Sequence, residues 1–221
     1  MNKRIESIDA LRGLMVLLMI VHHSFYDIVA FLDAPQEVFW NPWIDSLHYI
    51  VAITFILLAG VSSRFSRNNI KRGLKTLACA LLVTIVLALP FVNMPVWFGV
   101  LHLLAVCMIA YGFLGKYIDR VHWAVWLVLG VAAFIAEICG VLPQPNIYSS
   151  DWFPPVPWAF AFLLGTSVGG WIREDKFPKW FYNMCVPVLP AIGRKALIIY
   201  LVHQPLMFGI VQLIVKFSSG Q

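Results

Sequence analysis

The sequence predicts an all-α, polytopic membrane helical bundle of about seven transmembrane helices, with the N-terminus cytoplasmic and the C-terminus outside. Three observations predict it. Of the 221 residues, 61% are hydrophobic and only 12% charged, against roughly half and a quarter in an ordinary soluble domain. The apolar residues, roughly 135 of them, gather into stretches close to the ~20 residues needed to cross a bilayer core. The basic residues fall between alternate stretches, as Lys and Arg do when they mark loops retained in the cytoplasm. This composition excludes a large soluble domain, a disordered chain and a nucleic-acid-binding module. The formal charge of +5 could suggest an acidic partner, but it mostly records topology.

The first span, 11–32, follows Lys3, Arg4, Glu6, Asp9 and Arg12, and no small-residue cleavage site follows its apolar run, so it reads as a span and not as a signal peptide. An outside loop, 33–45, carries Asp33, Glu37 and Asp45 and leads to the second span, 46–63. Arg64, Arg67, Lys71, Arg72 and Lys75 are inside and introduce the third span, 73–92. The fourth, 96–114, ends before Lys116 and Arg120, and the fifth, 121–141, returns to a second long outside loop, 142–154, that holds Asp151. The sixth, 155–172, ends on Arg173. Segment 173–195 is too polar and proline-broken to span, yet Phe177, Trp180, Phe181 and Tyr182 beside Lys176 and Lys179 suit the membrane surface. The seventh span, 196–215, follows Arg194 and Lys195, which leaves Lys216 as the one outside base. Adding or removing a span would put several bases on the wrong side.

Trp40, Trp43, Trp97, Trp152 and Trp158 are expected in an outer aromatic belt, and Trp123, Trp126, Trp171 and Trp180 in an inner one. Cys79, Cys107, Cys139 and Cys185 show no metal-ligand spacing and read as packing residues, with no metal and no disulfide expected. No repeat or low-complexity stretch divides the chain, so 1–221 reads as a single domain.

Ionisable side chains within spans are expensive, and each is a functional candidate by default. They are Asp9 and Arg12 at the inner end of the first span, His22, His23 and Asp27 within it, His102 in the fourth, Glu137 in the fifth and His203 in the seventh. Eleven residues make about three helical turns, so Arg12 and His23 share a face, with Asp27 one turn further out on nearly the same face. Asp27 is placed to accept an imidazole N–H and set the tautomer of His23. His22 points about a quarter-turn away. At 1.5 Å rise per residue, His23 and His102 come to similar depths. His203 enters from the inner side beside Gln204 and Pro205, where a proline can free a backbone carbonyl.

At these residues the chain resembles a known family. The opening RIESIDALRGLMVLLMIVHHSFYD is similar to the start of the bacterial relatives of heparan-α-glucosaminide N-acetyltransferase, in the wider clan of transmembrane acyltransferases, which typically shows an Arg and a His with ten residues between them, as Arg12 and His23 have. The resemblance continues through FILLAGVSSRFSR at 55–67, FGVLHLLAV at 98–106, PPVPWAFAFLLGTSVGGWI at 154–172 and AIGRKALIIYLVHQPLMFG at 191–209. It implies acetyl transfer from cytosolic acetyl-CoA to an amine or hydroxyl acceptor, an amino sugar of the glucosamine type, presented from the other side of the lipid bilayer. The residues are compatible with this. Coenzyme A is a polyanion, and Arg12 with Arg64, Arg67, Lys71 and Arg72 offers charge-assisted donors to its phosphates, although a solvated positive-inside loop also explains the cluster. Acyl transfer needs a base for the acceptor's proton and donors for the oxyanion. His23 is the candidate base, oriented by Asp27, while His102, His203 and Gln204 are candidates to orient the acceptor or to supply the oxyanion donor.

The same ionisable residues and Pro205 also suit a proton-coupled transporter of a small solute, though no paired repeats accompany them. Two facing histidines would suit a haem, and no haem is expected. The small outside loops imply that a glycan acceptor is gripped by the pocket itself or by a second subunit of a homo-oligomer.

Overall fold

A computed structural model describes residues 5–32, 34–89, 95–143, 149 and 151–218. The expectations for Lys3, Arg4 and Asp33 lie outside the described residues. The helices are α1 (Glu6–Phe31), α2 (Pro42–Arg64), α3 (Asn69–Leu87), α4 (Val100–Ile118), α5 (Trp123–Ile138), α6 (Pro155–Arg173), α7 (Lys179–Asn183), α8 (Leu189–Arg194) and α9 (Ala196–Ser218), with a short 3-10 turn at Gln36–Val38. The seven long ones correspond in order to the seven expected spans, so the chain is an all-α multi-pass membrane protein. By length and composition, α1, α2, α4, α6 and α9 suffice to cross a membrane. The 16 residues of α5 are fewer, and α3 opens on Lys71, Arg72 and Lys75.

Two boundaries move for physical reasons. Helix α3 starts at Asn69, four residues before the expected 73, because the Asn68 side chain caps it by accepting from the Lys71 N–H at 2.8 Å. Helix α4 starts at Val100 instead of 96, because Phe98 pairs with Trp152 and Gly99 is extended at φ −83°, ψ −178°.

The chain gathers into two compact units, one made of residues up to Phe55 and from Pro178 onward, the other of Ile56–Phe177. In the first, α1 packs on α8 and on α9. The face of α1 that carries Met15, Val16 and Asp27 is buried, while Leu11, Leu14, Leu17, Val21 and Ile28 stay exposed, which suits lipid on that side. The crossing with α8 is a contact of backbones. A Cβ on Gly13 would lie 2.2 Å from the Leu189 carbonyl oxygen, and one on Gly193 would lie 1.8 Å from that of Asp9. The Ser7 hydroxyl donates to the Phe181 carbonyl and ties in α7. Segment 173–195 is therefore more than a surface strap, since its α8 half braces the inner part of α1, although Trp180 remains exposed.

In the second unit α3 packs along α4, and α6 against α5 and α4. Residues Gly60, Gly165 and Gly169 let the inner part of α2 meet α6, with Cβ positions on Gly60 and Gly165 each 2.1 Å from a facing carbonyl oxygen, of Phe162 and Leu57. Gly165 and Gly169 have the small-xxx-small spacing that allows membrane helices to approach closely. Trp158 is the exception to the outer belt. It is buried, with its ring centroid 4.6 Å from Phe153 and 5.1 Å from Phe134, whereas Trp40, Trp43 and Trp97 are exposed.

Candidate functional site

The polar centre of the first unit lies on facing turns of α1 and α9. Asp27 is fully buried, and its Oδ1 accepts from the Gln204 Nε2 at 3.1 Å. The sequence suggested that Asp27 orients His23, but the structure gives its carboxylate to the Gln204 amide instead, since α9 brings that side chain to it. His203 is buried, and its Nδ1 lies 2.6 Å from the Tyr200 carbonyl oxygen. A carbonyl can only accept, so Nδ1 carries the proton and Nε2 of the neutral ring bears a lone pair. The His23 ring lies beside it, with 5.1 Å between centroids.

Three buried acceptors in this group have no hydrogen-bond partner: Asp27 Oδ2, His203 Nε2 and Gln204 Oε1. Buried polar atoms are almost always paired with protein or ordered water in native structures, so three such acceptors on adjoining turns call for N–H or O–H donors from outside the protein. Pro205 sits inside α9, where it cannot donate the N–H that Leu201's carbonyl would receive in an unbroken helix. The helix nevertheless runs on to Ser218.

His22, which the quarter-turn offset set apart, joins the group from its outer side. Its ring lies 5.5 Å from His23, 5.1 Å from His48 of α2 and 5.2 Å from Phe39. Sequence reasoning passed over His48. Its signal was a histidine three residues into an apolar span, one turn beyond Asp45.

Arg12 lies further in on α1, where its Nη1 meets Asp9 Oδ1 at 2.7 Å. Asp9 is buried in the α1–α8 contact, so this pair holds at least part of the guanidinium's donor capacity within the protein.

His102 belongs to the second unit and stands in the first turn of α4, not in mid-span, so the similar depth it and His23 were assigned loses its basis. Its Nε2 lies 3.4 Å from Thr84 Oγ1, which donates to the Val96 carbonyl at 2.8 Å, and its ring lies 5.8 Å from Phe98. At the same end Asp151 Oδ2 accepts the Val100 N–H at 3.2 Å and occupies the space beside Gly99 where a Cβ would be 2.3 Å away. Ser149 Oγ accepts from the Trp97 N–H and donates to the Asp151 carbonyl. Burial pushes the Asp151 carboxyl up to about 6, against the pull of the Val100 N–H. A carboxyl raised in the folded state binds a proton there before it does in the unfolded chain, so stability falls as pH rises from about 4 to about 6. Asp151→Asn keeps an acceptor for Val100 and removes the titration. Thermal unfolding of this variant in detergent should lose that pH dependence, and Asp151→Ala should lose it too while being less stable than Asp151→Asn by about 1 kcal/mol at every pH, as for a lost helix cap.

The basic residues of the second unit divide in two. Arg64 pairs with Asp119, its Nη1 also reaches the Tyr111 hydroxyl at 3.2 Å, and that hydroxyl donates to Asp119 Oδ1 at 2.9 Å. Arg72 donates to the Ser62 carbonyl at 3.1 Å and to Asn69 Oδ1 at 3.3 Å. Both hold the α2–α3 turn and the end of α4 together. Arg67 and Lys71 are exposed. Glu137, in the last turn of α5, is half-buried.

A family model described as the catalytic domain of heparan-alpha-glucosaminide N-acetyltransferase matches residues 4–205 of the 221. No curated protein matches the chain. No solved structure does either.

Proposed function

This chain belongs to the family of heparan-alpha-glucosaminide N-acetyltransferase catalytic domains, and we propose that it moves an acetyl group from cytosolic acetyl-CoA to an amine, of the glucosamine type, held between α1 and α9. Family membership makes it a membrane acyltransferase-type protein. The finer reading is carried by one observation, the three unpaired acceptors Asp27 Oδ2, His203 Nε2 and Gln204 Oε1. An amine brings what they lack. Its N–H groups satisfy Gln204 and His203, and in its ammonium form its charge offsets the buried carboxylate of Asp27, which is costly unless paired.

The attacking amine must lose a proton as its nitrogen bonds to the thioester carbon. His203 is set for that step, because the Tyr200 carbonyl holds its Nδ1 proton and keeps the Nε2 lone pair available. His23, at 5.1 Å between rings, receives the proton next or bears on the acceptor directly.

The purified protein in detergent, with no membrane gradient, is expected to transfer label from acetyl-CoA to at least one member of a panel of amino sugars. Gradient-dependent uptake of solute by reconstituted vesicles without any turnover would favour a transporter and overturn this reading.

A further inference from the structure

We propose that His203, His23, His22 and His48 form a ladder of imidazoles that carries the proton surplus of acyl transfer from the buried acceptor site to the outer surface at Asp45. The proposal rests on the acetyltransferase reading of the α1–α9 site and extends it to the route by which the reaction's proton leaves.

The four rings are successive neighbours. Successive centroids are 5.1, 5.5 and 5.1 Å apart from His203 through His23 and His22 to His48. His203 Nε2 has no direct hydrogen-bond partner, so with centroids this close a proton passes from ring to ring through one bridging water or after a small ring rotation. Exposure rises along the line. His203 is buried, His23, His22 and His48 are half-buried, and Asp45, one turn before His48 on α2, is exposed. Among the described residues no three His, Cys, Asp or Glu side chains converge as metal ligands. As mere filler in an apolar layer, four imidazoles would be an expensive choice.

The chemistry requires an exit. With an ammonium acceptor, the C–S bond of the thioester breaks and a C–N bond forms, and the nitrogen gives up two protons. One is balanced by the proton that the departing thiolate takes up to become the thiol of coenzyme A. The other is surplus and must reach solvent. A neutral imidazole accepts at one nitrogen and donates from the other, so a line of them relays a proton with little movement. His203 is the terminus, because its Nδ1 proton stays with Tyr200 and Nε2 must both take the proton and return it. His23, His22 and His48 are the through-stations, and His22 and His48 act as positioning and relay residues that never touch the acceptor.

The test uses the full-length purified protein and labelled acetyl-CoA. His48→Ala and His48→Gln should each lower kcat by about tenfold or more with the KM for acetyl-CoA unchanged. Added imidazole should restore His48→Ala severalfold, while pyrrole, of the same shape but without a basic nitrogen, should not. Wild-type kcat in both variants, or equal rescue by pyrrole, overturns the ladder while leaving the acetyltransferase reading intact. Absence of turnover in the wild type with every amine overturns that reading and the proposal with it. Ring 15N signals of histidine-labelled protein supply a readout independent of turnover. A proton on His203 Nδ1 is expected, and one fixed on Nε2 overturns the ladder.

Discussion

His203→Ala is expected to lower the rate of acetyl transfer by about 10²- to 10⁴-fold, the range a positioned general base contributes, with the protein still folded. The fold should survive because the Asp27–Gln204 hydrogen bond does not involve the imidazole, and the ring occupies one side of a site that already has unpaired acceptors. His203→Gln should be as slow, since an amide of similar bulk has no lone pair of comparable basicity. The check is kcat for labelled transfer to the best amine acceptor, beside the detergent melting temperature of each variant. Activity within threefold of wild type for both would remove His203 from the chemistry and return the role of base to His23. Because Tyr200 contributes its backbone carbonyl, substitution of the Tyr200 side chain should leave the tautomer of His203 in place.

Gly193→Ala should cause the largest loss of stability. Its added methyl would stand 1.8 Å from the Asp9 carbonyl oxygen and 2.9 Å from the Gly13 backbone nitrogen. Neither atom can swing aside as a side-chain tip can, so α1 and α8 must separate. Overpacking of this kind costs about 1–3 kcal/mol and sometimes more, and at roughly 2–4 °C per kcal/mol for a chain of this size the melting temperature should fall by about 2–12 °C. Thermal unfolding in detergent measures it, with Gly209→Ala as the control, since a Cβ there meets nothing within 4 Å. The same separation would disturb Asp9 and its partner Arg12. A variant that does fold should therefore be less stable without losing the histidine chemistry, whose residues lie further along α1.

The seven long helices were legible because hydrophobic length and the placement of Lys and Arg are properties of the chain itself. Of the three residues read as sharing one face of α1, Asp27 is buried and Arg12 and His23 are half-buried. What helical periodicity could not supply was the partner. Asp27 and His23 are one turn apart on one helix, yet Gln204 arrives from α9, 177 residues away in sequence, and takes the carboxylate. His48 escaped notice for a similar reason, as only the folded first unit brings it to His22. Arg64 looked like any inside base until Tyr111 and Asp119 were found around it. The glycines of AIGRK and LLGTSVGG could be read as a family signature, but their purpose, backbone contact at Gly13–Gly193 and Gly60–Gly165, depends on which helices meet.

The first unit is assembled from the two ends of the chain, with the whole of Ile56–Phe177 synthesised between them. At roughly 5–20 residues per second of translation, α1 therefore resides in the membrane for several seconds before the ribosome delivers α8 and α9. During that interval Asp27 has no Gln204, His23 has no His203, and Gly13 faces no Gly193. An Asp costs about 2.5–3.5 kcal/mol at the centre of an inserted helix and less toward its end, where Asp27 lies, so α1 can enter alone on its leucines. Biogenesis thus imposes an order in which the second unit is complete while the first, with the proposed site, is half made. Nascent chains arrested before residue 189 should leave α1 accessible to crosslinking with insertion factors, and a ribosome stalled there holds a chain that has His22 and His23 but not yet His203.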